Sequence, residues 1–333
     1  MSSSAATPSD LPVYEDVVAA AKRIKGHAVR TPLLGAPLLD ARLGGRLLVK
    51  AEPLQVTGSF KFRGAYNKLS QIPAADRAKG VVAYSSGNHA QGVAAAAKML
   101  GMPAWIIMPA DAPAIKIART REFGATVVAY DRYREDREAM GLKLQAQYGA
   151  TLVKPYDDPA ILTGQGTIGL EIAEQCAEIG VRPDAVIVCC GGGGLVSGTA
   201  LALSGALPGV PVYSAEPKDF DDTKRSLESG KRETNDPSAR SICDALLAAT
   251  PGELTFALNK RLLKGGLAVS DDEARAAMAT AFLEYKLVVE PGGAVAMASV
   301  LSGKYPIAGR TVVAVASGGN VDPAQFAQVL GAL

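Results

Sequence analysis

The chain has little of what marks secreted, zinc-binding or nucleic-acid-binding proteins. Its four cysteines, Cys176, Cys189, Cys190 and Cys243, form no C-x-x-C pair and no spacing suited to zinc. We interpret them as buried thiols in a reducing cytoplasm. The formal net charge of only +2 gives no indication of a nucleic acid or of an acidic membrane surface as a partner.

A secretion signal and an uninterrupted apolar run of membrane-spanning length are also missing from the sequence. The N-terminus, MSSSAATPSD, has no basic region followed by an apolar stretch. Residues 185–215 carry no charged side chain, but a run of four glycines and two prolines, Pro208 and Pro211, interrupt them. We predict a buried strand, loop, helix and strand there, and a protein of the cytoplasm.

Short apolar runs alternate with helical patterns along most of the chain. Seven of these runs are predicted to be strands: RLLVKAE, GVVAYSS, PAWIIMP, ATVVAYD, DAVIVCC, VPVYSAE and TVVAVAS. They lack polar alternation, as expected for strands that are buried on both faces of a parallel sheet. The pattern predicts an α/β protein with open, mostly parallel twisted sheets flanked by helices.

Two sheets, and hence two domains, are expected. Closely spaced strands would form a small domain at residues 81–154, and residues 1–80 and 155–333 would form a large domain. Active sites of open α/β sheets lie at the carboxyl ends of the strands. We therefore expect the site where the segments SSGNHAQG, GGGGL and SGGN follow predicted strands.

Four consecutive glycines, Gly191–Gly194, lie between a predicted strand and a predicted helix. Glycines allow backbone N–H groups to form a concavity for an anion, and the helix adds the positive end of its dipole. A phosphate is the expected ligand. The run is neither G-x-x-x-x-G-K-[ST] nor a clean G-x-G-x-x-G, so Walker-type and dinucleotide sites are not well supported. Alternatively, the glycines only permit close packing of the helix on the strand.

The segment YSSGNHAQG offers two hydroxyls, an amide and an imidazole at another predicted junction of strand and helix. Such groups cap a helix and, together with free backbone N–H groups, bind a carboxylate. Ser-His-Asp catalysis is a weak alternative, because the chain has only two histidines and no G-x-S-x-G motif.

Five motifs in this order, TGSFKFRGA, SSGNHAQG, CGGGGL, AEP and SGGN, resemble those of the fold type II pyridoxal-phosphate enzymes. The resemblance is to the serine/threonine dehydratase and serine racemase group, with similarity also to 3-hydroxyaspartate dehydratases, and it extends from about Arg30 to Asp322. It implies a tryptophan synthase beta-like fold of two domains, pyridoxal 5'-phosphate as cofactor and an amino acid as substrate. A homodimer is expected from the resemblance alone.

The resemblance also implies a role for the residues of each motif. Lys61 would carry the cofactor covalently and then act as acid and base, which requires an amine that can lose its proton. Partial desolvation by Phe60 and Phe62 would lower the pKa of this amine. Phe60 would pack on the cofactor ring, Asn88 would bind the ring hydroxyl, and Ser317 would bind the pyridine nitrogen. The phosphate would be held by Gly191, Gly192, Gly193, Gly194 and Leu195.

The implied reaction is the conversion of a 3-hydroxy amino acid such as serine, threonine or 3-hydroxyaspartate to a 2-oxo acid and ammonia. Ser85, Asn88 and His89 would hold the substrate carboxylate. Ser86 bears on the alternative, a serine or aspartate racemase, because a serine there can exchange a proton on the face opposite the lysine. Threonine dehydratases commonly carry alanine at this position. Ser86 could equally be a turn residue without a chemical role.

Arg134, in YDRYREDREA, is similar in position to an arginine near the substrate pocket of serine racemases. A guanidinium can bind a second carboxylate bidentately, which would favour 3-hydroxyaspartate. The alternative is a solvated charge at the start of a helix, among other charged residues.

The segment AEPKDFDDTKRS matches the divalent cation site of serine racemase-like members through Glu216, the Phe220 carbonyl and Asp222. Oxygen ligands suit Mg²⁺, or Ca²⁺ or Mn²⁺ in its place. Acidic residues near the start of a helix are an ordinary alternative.

Two further functions stay open at this point. A non-enzymatic sensor of a phosphate ligand could use the same fold, although the intact Lys61 argues against it. A sulfhydrylase that uses O-acetylserine is the other, although its usual lysine motif, followed by KDR, is absent. The chain ends soon after SGGNVD, so no C-terminal regulatory domain is expected.

Overall fold

Two separate β-sheets organise the computed structural model, which describes residues 11–85, 87–112, 114–131 and 133–332. In chain order, the strands of this part are β1 (Leu33–Leu34), β2 (Arg46–Ala51), β3 (Val81–Tyr84), β4 (Ala104–Pro109), β5 (Thr126–Tyr130), β6 (Thr151–Leu152), β7 (Ala185–Cys189), β8 (Val212–Pro217), β9 (Leu263–Val269) and β10 (Thr311–Ala316). One sheet has six of these strands and the other has four.

Helices connect the strands of both sheets. In the described residues they are α1 (Tyr14–Ile24), α2 (Pro37–Leu43), α3 (Lys61–Ser70), α4 (Asn88–Met99), α5 (Ala114–Glu122), α6 (Arg137–Tyr148), α7 (Pro159–Glu178), α8 (Gly194–Ala206), α9 (Asp222–Ser229), α10 (Glu253–Leu262), α11 (Asp271–Tyr285), α12 (Pro291–Leu301) and α13 (Pro323–Gly331). None of the helices in this part of the chain combines the length and the apolar composition needed to cross a bilayer.

The six-stranded sheet has the order β1-β2-β10-β7-β8-β9. Its neighbours run parallel, except for the antiparallel pair β1 and β2. Strand β10 lies between β2 and β7, so the loops that follow these three strands leave the same edge of the sheet. Ligands of open α/β sheets bind at such an edge. The lysine motif follows β2, SGGN follows β10 and the glycine run follows β7, so the topology brings the three together.

The four-stranded sheet has the order β5-β4-β3-β6 and is parallel throughout. All of its strands fall within residues 81–154, the range expected for the small domain. The domain boundaries themselves stay a prediction.

Strand β7 shows why the large sheet is covered by helices on both faces. Ile187 packs into a core that includes Val295 of α12, whereas Val186 and Val188 pack into a core that includes Val196 of α8. Successive side chains of a strand point to opposite faces, so a strand that is buried on both sides is apolar without alternation. The α/β fold with helix-flanked parallel sheets is thus confirmed.

All seven predicted strands are present, and residues 185–215 form the predicted strand, loop, helix and strand. Strands β1, β6 and β9 are not among the predictions. Two of them have only two residues each, and β9 contains Gly265 and Gly266, a residue type that is depleted in strands. The four cysteines are free and buried, as predicted.

Candidate active site

Lys61 is held at the start of α3 by the loop that follows β10. Ser59 and Gly318 form an isolated antiparallel bridge, and the Phe60 N–H donates to the Ser317 carbonyl at 3.1 Å. The backbone next to Lys61 is therefore bonded to a segment more than two hundred residues further along the chain. These contacts fix the lysine relative to the SGGN loop.

Lys61 borders a cavity of about 470 Å³ that lies between the two sheets. The predicted site residues that line the same cavity are Phe60, Ser85, Asn88, His89, Gly191, Gly192, Gly193, Gly194, Leu195 and Ser317. Ser86 lies outside the described residues. The structure thus brings together most of the residues that the sequence motifs suggested.

The amine of Lys61 lies in a poorly solvated position. Its Nζ donates to the carbonyl oxygen of Pro155 at 2.7 Å and lies 5.2 Å from the centroid of the Phe60 ring. Burial lowers the pKa of Lys61 to about 8. Phe62 does not line the cavity, because it is fully buried in the core of the four-stranded sheet. Of the two flanking phenylalanines, Phe60 is the one that lies beside the amine.

The glycine run has neighbours that leave no room for side chains. A Cβ on Gly192 would overlap the ring of Tyr156, and Gly193 has a φ of +94°, a region that favours glycine. The Gly192 carbonyl accepts from the Thr255 hydroxyl at 2.8 Å. The N–H groups in the first turn of α8 have no partner within the helix and are available to bind an anion.

The first turn of α4 lines another part of the cavity wall. The Ser85 hydroxyl accepts from the Gly87 N–H at 3.2 Å, and Asn88 and His89 are the first two residues of the helix. N–H groups in the first turn of an α-helix have no partner within the helix. They are therefore available to bind an anion such as a carboxylate.

The side chain of His89 is a neutral ring with one free acceptor. Burial, and then the nearby charge of Lys61, lowers the pKa of His89 to about 3. Its Nε2 lies 3.1 Å from the Val153 carbonyl, which can only accept, so we assign the ring proton to Nε2. Nδ1 is buried without a partner in the described part of the chain. This nitrogen cannot donate to a carboxylate, so the donor that His89 offers is its backbone N–H.

The structure places Arg134 outside the cavity. Its side chain is 86% exposed, and its nearest ionic partner is Asp131 at 3.7 Å. Arg137, three residues later at the start of α6, lines the cavity instead, and its guanidinium carbon lies 5.4 Å from the centroid of the Tyr84 ring. Both arginines are in the same charged segment, and the sequence alone did not show which one faces inward.

Glu216 and Asp222 lie together but away from the cavity, at the end of β8 and the start of α9. The Glu216 carboxylate accepts from the Thr223 and Lys224 N–H groups at 2.9 and 2.8 Å, which is a capping role. Burial, and then Asp222, raises the pKa of Glu216 well above its usual range. Asp222 Oδ2 is buried without a partner among the described residues, and these contain no cluster of three or more metal-binding side chains.

A buried network of four charged side chains includes Arg63, which lies in the same helix as Lys61. Arg63 binds Glu52 at 2.8 Å and Glu171 at 2.6 Å, and Lys50 binds Glu171 at 2.6 Å. Lys50, Glu52 and Arg63 have side chains that are 0% exposed. Two positive and two negative charges balance, which offsets the cost of burying each. The network joins α3 to β2 and α7 and so supports the position of Lys61.

Glu290 and Asn320 line the cavity although they are absent from the predicted roles. Glu290 accepts from Asn88 Nδ2 at 2.6 Å, and Asn320 donates to Asn88 Oδ1 at 2.7 Å. Burial, and then the charge of Asp244, raises the pKa of Glu290 to about 7. Asn320 is the last residue of the SGGN motif, and Glu290 lies in the segment VVEPGGA, but neither segment shows by itself what its polar side chain contacts.

Pyridoxal phosphate, the cofactor implied by the resemblance, fits the residues that border the cavity. It requires an amine that can be deprotonated, a site for a phosphate and polar groups for its ring. The amine of Lys61 has a lowered pKa, and the glycine run excludes side chains ahead of the α8 N-terminus. Asn88 and Ser317 line the same cavity.

Comparisons with known proteins agree with this geometry. An L-threo-3-hydroxyaspartate ammonia-lyase from Pseudomonas sp is 45% identical over 95% of this chain and 98% of its own. The serine racemase of Schizosaccharomyces pombe is 40% identical over 96% of this chain and 98% of its own. The crystal structure of a threonine deaminase from T.th. has a TM-score of 0.87 at 43% identity and covers 93% of this chain and 99% of its own.

The match to a protein family extends over most of the chain. Residues 24–318 match the family described as "Pyridoxal-phosphate dependent enzyme". This range includes Lys61, the glycine run and Ser317, the residues on which the fit of the cofactor depends. The chain belongs to the family of pyridoxal-phosphate dependent enzymes.

Proposed function

We propose that the protein is an ammonia-lyase that converts a 3-hydroxy amino acid to a 2-oxo acid and ammonia, with 3-hydroxyaspartate as the preferred substrate. The observation that carries this preference is the position of Arg137 in the wall of the Lys61 cavity. A guanidinium binds a carboxylate bidentately, and 3-hydroxyaspartate has a second carboxylate that serine and threonine lack. The similarity to an L-threo-3-hydroxyaspartate ammonia-lyase supports the same preference.

Tyr84 supports Arg137 from one side. The distance of 5.4 Å from the guanidinium to the ring is within the range of a cation–π contact. Because the ring holds the guanidinium without using its N–H donors, these stay available for a ligand carboxylate. Arg134 has no part in this proposal, because it is exposed to solvent.

Different residues around Lys61 are proposed to bind different parts of the cofactor. Gly191–Gly194 and Leu195 would bind its phosphate through backbone N–H groups, Phe60 would pack on its ring, and Asn88 would bind its ring hydroxyl; all of them line the cavity. Ser317 offers a neutral hydroxyl to the pyridine nitrogen. When bound, the cofactor withdraws electrons from the Cα of an amino acid. A neutral partner at the nitrogen suits rapid loss of a β-substituent better than transamination.

Lys61 holds and moves the proton of the reaction. Because burial lowers the pKa of its amine to about 8, a fraction of Nζ is unprotonated at neutral pH and can accept the proton of the substrate Cα. The β-hydroxyl leaves as water together with the proton that Lys61 removed from Cα, and a water molecule then hydrolyses the released enamine to the 2-oxo acid and ammonia. The Pro155 carbonyl, 2.7 Å from Nζ, holds the amine in place.

The α-carboxylate of the substrate binds at the start of α4. Ser85 and the backbone N–H groups of Asn88 and His89 are the donors there. Since the His89 ring is neutral, the attraction for the carboxylate comes from the helix N-terminus and not from an imidazolium charge.

Serine racemase activity is a second candidate function. Serine racemases occur among the relatives of the chain, and Ser86 is the residue that could exchange a proton opposite Lys61. The same serine also suits an enzyme that eliminates water and racemises a small fraction of its substrate. The two activities are separated by measuring both products.

A divalent cation, with Mg²⁺ as the preferred ion, is proposed to bind Glu216, the Phe220 carbonyl and Asp222. The support is the pair of buried carboxylates, one oxygen of which, Asp222 Oδ2, has no partner in the described residues. Such a pair is stabilised by a cation with oxygen ligands.

A homodimer is also proposed, on the basis of the resemblance. A cytoplasmic location is proposed on the basis of the four free cysteines.

A panel of substrates tests the proposal. Stereoisomers of serine, threonine and 3-hydroxyaspartate are incubated with the cofactor-loaded protein, and the 2-oxo acid, ammonia and opposite enantiomer are measured. We expect the highest kcat/KM for 3-hydroxyaspartate, with ammonia and 2-oxo acid in equal amounts. Higher kcat/KM for threonine would overturn the preference, and an absence of ammonia from every substrate would overturn the function.

A further inference from the structure

The amide of Asn88 has a hydrogen-bond partner at each end. Its Nδ2 donates to Glu290 Oε1 at 2.6 Å, and its Oδ1 accepts from Asn320 Nδ2 at 2.7 Å. Asn88 is the first residue of α4, which follows β3 of the four-stranded sheet. Glu290 precedes α12, and Asn320 follows β10 of the six-stranded sheet. The two hydrogen bonds therefore connect the two sheets at the cavity, which all three residues line.

A backbone carbonyl, which can only accept, sets the direction of this hydrogen-bond chain. The Thr57 carbonyl accepts from Asn320 Nδ2 at 2.8 Å, which identifies the nitrogen end of Asn320. The same nitrogen donates to Asn88, which identifies the oxygen end of Asn88. The other end of Asn88 is therefore Nδ2, which donates to Glu290 Oε1. The Thr57 carbonyl thus assigns the orientation of the Asn88 amide through Asn320, and the contact with Glu290 agrees with it.

Two glycines make room for the partners of Asn88. A Cβ on Gly58 would lie 2.6 Å from Asn320 Oδ1, and a Cβ on Gly318 would lie 2.5 Å from Glu290 Oε1. Real Cβ atoms do not approach other atoms so closely. The space for each partner is therefore built into the backbone, at two separate places in the chain.

We propose that Glu290 and Asn320 are positioning residues, which hold the Asn88 amide so that its remaining Nδ2 proton would be offered to the oxygen of the cofactor's ring hydroxyl. Without them the amide can turn over and present its carbonyl, which cannot donate a hydrogen bond to that oxygen. The inference rests on the cofactor of the family and not on the proposed substrate.

The affinity for pyridoxal phosphate tests the proposal without any substrate. The full chain is prepared with Lys61→Ala, so that covalent attachment does not mask differences in affinity, and the Kd is measured by absorbance titration. Four proteins are compared in this background: the parent, Glu290→Gln, Asn88→Ala and the double variant. Glu284→Gln is the matched control, because Glu284 pairs with Arg42 and does not line the cavity.

We expect Glu290→Gln to weaken binding about tenfold when Asn88 is present, because a glutamine amide can turn and offer Asn88 either a donor or an acceptor, so it no longer fixes the orientation of Asn88. The loss should be less than twofold when residue 88 is alanine, because Glu290 acts through Asn88. The control variant binds as the parent does. Equal losses in the two backgrounds would indicate a general structural role and would overturn the proposal, as would unchanged or tighter binding by Glu290→Gln.

Asn320→Ala provides a second route to the same result. It removes the donor to Asn88 Oδ1 while Glu290 stays in place, and the same dependence on Asn88 is expected. This variant decides the question if circular dichroism shows that Glu290→Gln does not fold. Because no amino acid is present, an error in the proposed substrate does not affect either outcome.

Discussion

The Nζ of Lys61 lies 2.7 Å from the carbonyl oxygen of Pro155. A carbonyl accepts a hydrogen bond but carries no full negative charge, so it offsets only part of the cost of burying an ammonium. Burial accordingly lowers the pKa of Lys61 to about 8. The contact locates the amine and leaves it able to act as a base near neutral pH.

Replacing Lys61 by alanine should abolish turnover of every 3-hydroxy amino acid, since the chain then lacks both the attachment point and the base. The loss should exceed roughly a thousandfold, as expected for removal of a residue with both roles. Ammonia release measures the activity. Borohydride reduction followed by peptide mass spectrometry should find the cofactor on Lys61 in the parent protein, and a cofactor on another lysine would contradict the assignment.

The cofactor-free protein should become more stable when Lys61 is replaced by methionine. The pKa of the amine falls from 10.5 to about 8 on folding, so the unfolded chain binds more protons between these values. Below pH 8 the buried ammonium therefore lowers the free energy of unfolding by about 3 kcal/mol, and this destabilisation disappears as the pH rises to 10.5. Urea unfolding at pH 7 and pH 10.5 measures it. An equal gain at both pH values would show that the charge is not the cause.

Arg137→Met should change substrate preference more than overall activity. We expect kcat/KM for 3-hydroxyaspartate to fall about 100-fold, because the second carboxylate loses a charge-assisted hydrogen-bond partner. The value for serine should change less than threefold. Arg134→Met is the matched control, because Arg134 is exposed and outside the cavity. Equal losses for the two substrates would contradict a role in recognising the second carboxylate.

Ser86→Ala should separate racemisation from elimination. If Ser86 is the second proton carrier, formation of the opposite serine enantiomer should fall at least about tenfold, whereas ammonia release should change less than threefold. Chiral chromatography and an ammonia assay on the same samples give both rates. A parallel fall of the two rates would point to a structural role for this serine.

Removal of divalent cations should lower the thermal stability. A cation bound to the native state alone stabilises it, so EDTA should reduce Tm by about 3–5 °C and excess Mg²⁺ should restore it. Asp222→Asn removes the carboxylate whose Oδ2 lacks a partner in the described residues, and the Tm of this variant should not respond to EDTA. A response of the same size in this variant would exclude Asp222 as a ligand.

The strands and the glycine run could be predicted because their sequence patterns are local. A parallel strand buried on both faces is an apolar run, as Val186 to Val188 show, and a tight loop before a helix requires glycine, as at Gly193. The grouping of Lys61 with the glycine run and SGGN was also predicted, because the motifs and their order resemble those of a known family.

The partners of these residues depend on distances that the sequence does not show. Arg134 and Arg137 lie in one charged segment, and only the start of α6 at Arg137 decides which faces the cavity. Glu290 meets Asn88 across a separation of 202 residues. The tautomer of His89 likewise depends on the carbonyl of Val153, which is contributed by a different part of the chain.

The balanced charges under α3 restrict how the sequence around Lys61 can diverge. Loss of Arg63 alone would leave Glu52 without its principal partner in a site that water does not reach. Replacement of both by apolar residues of similar volume would avoid that penalty, although each single step towards it is unfavourable. Mutational paths through these positions should therefore show strong epistasis, with paired substitutions tolerated where the intermediates are not.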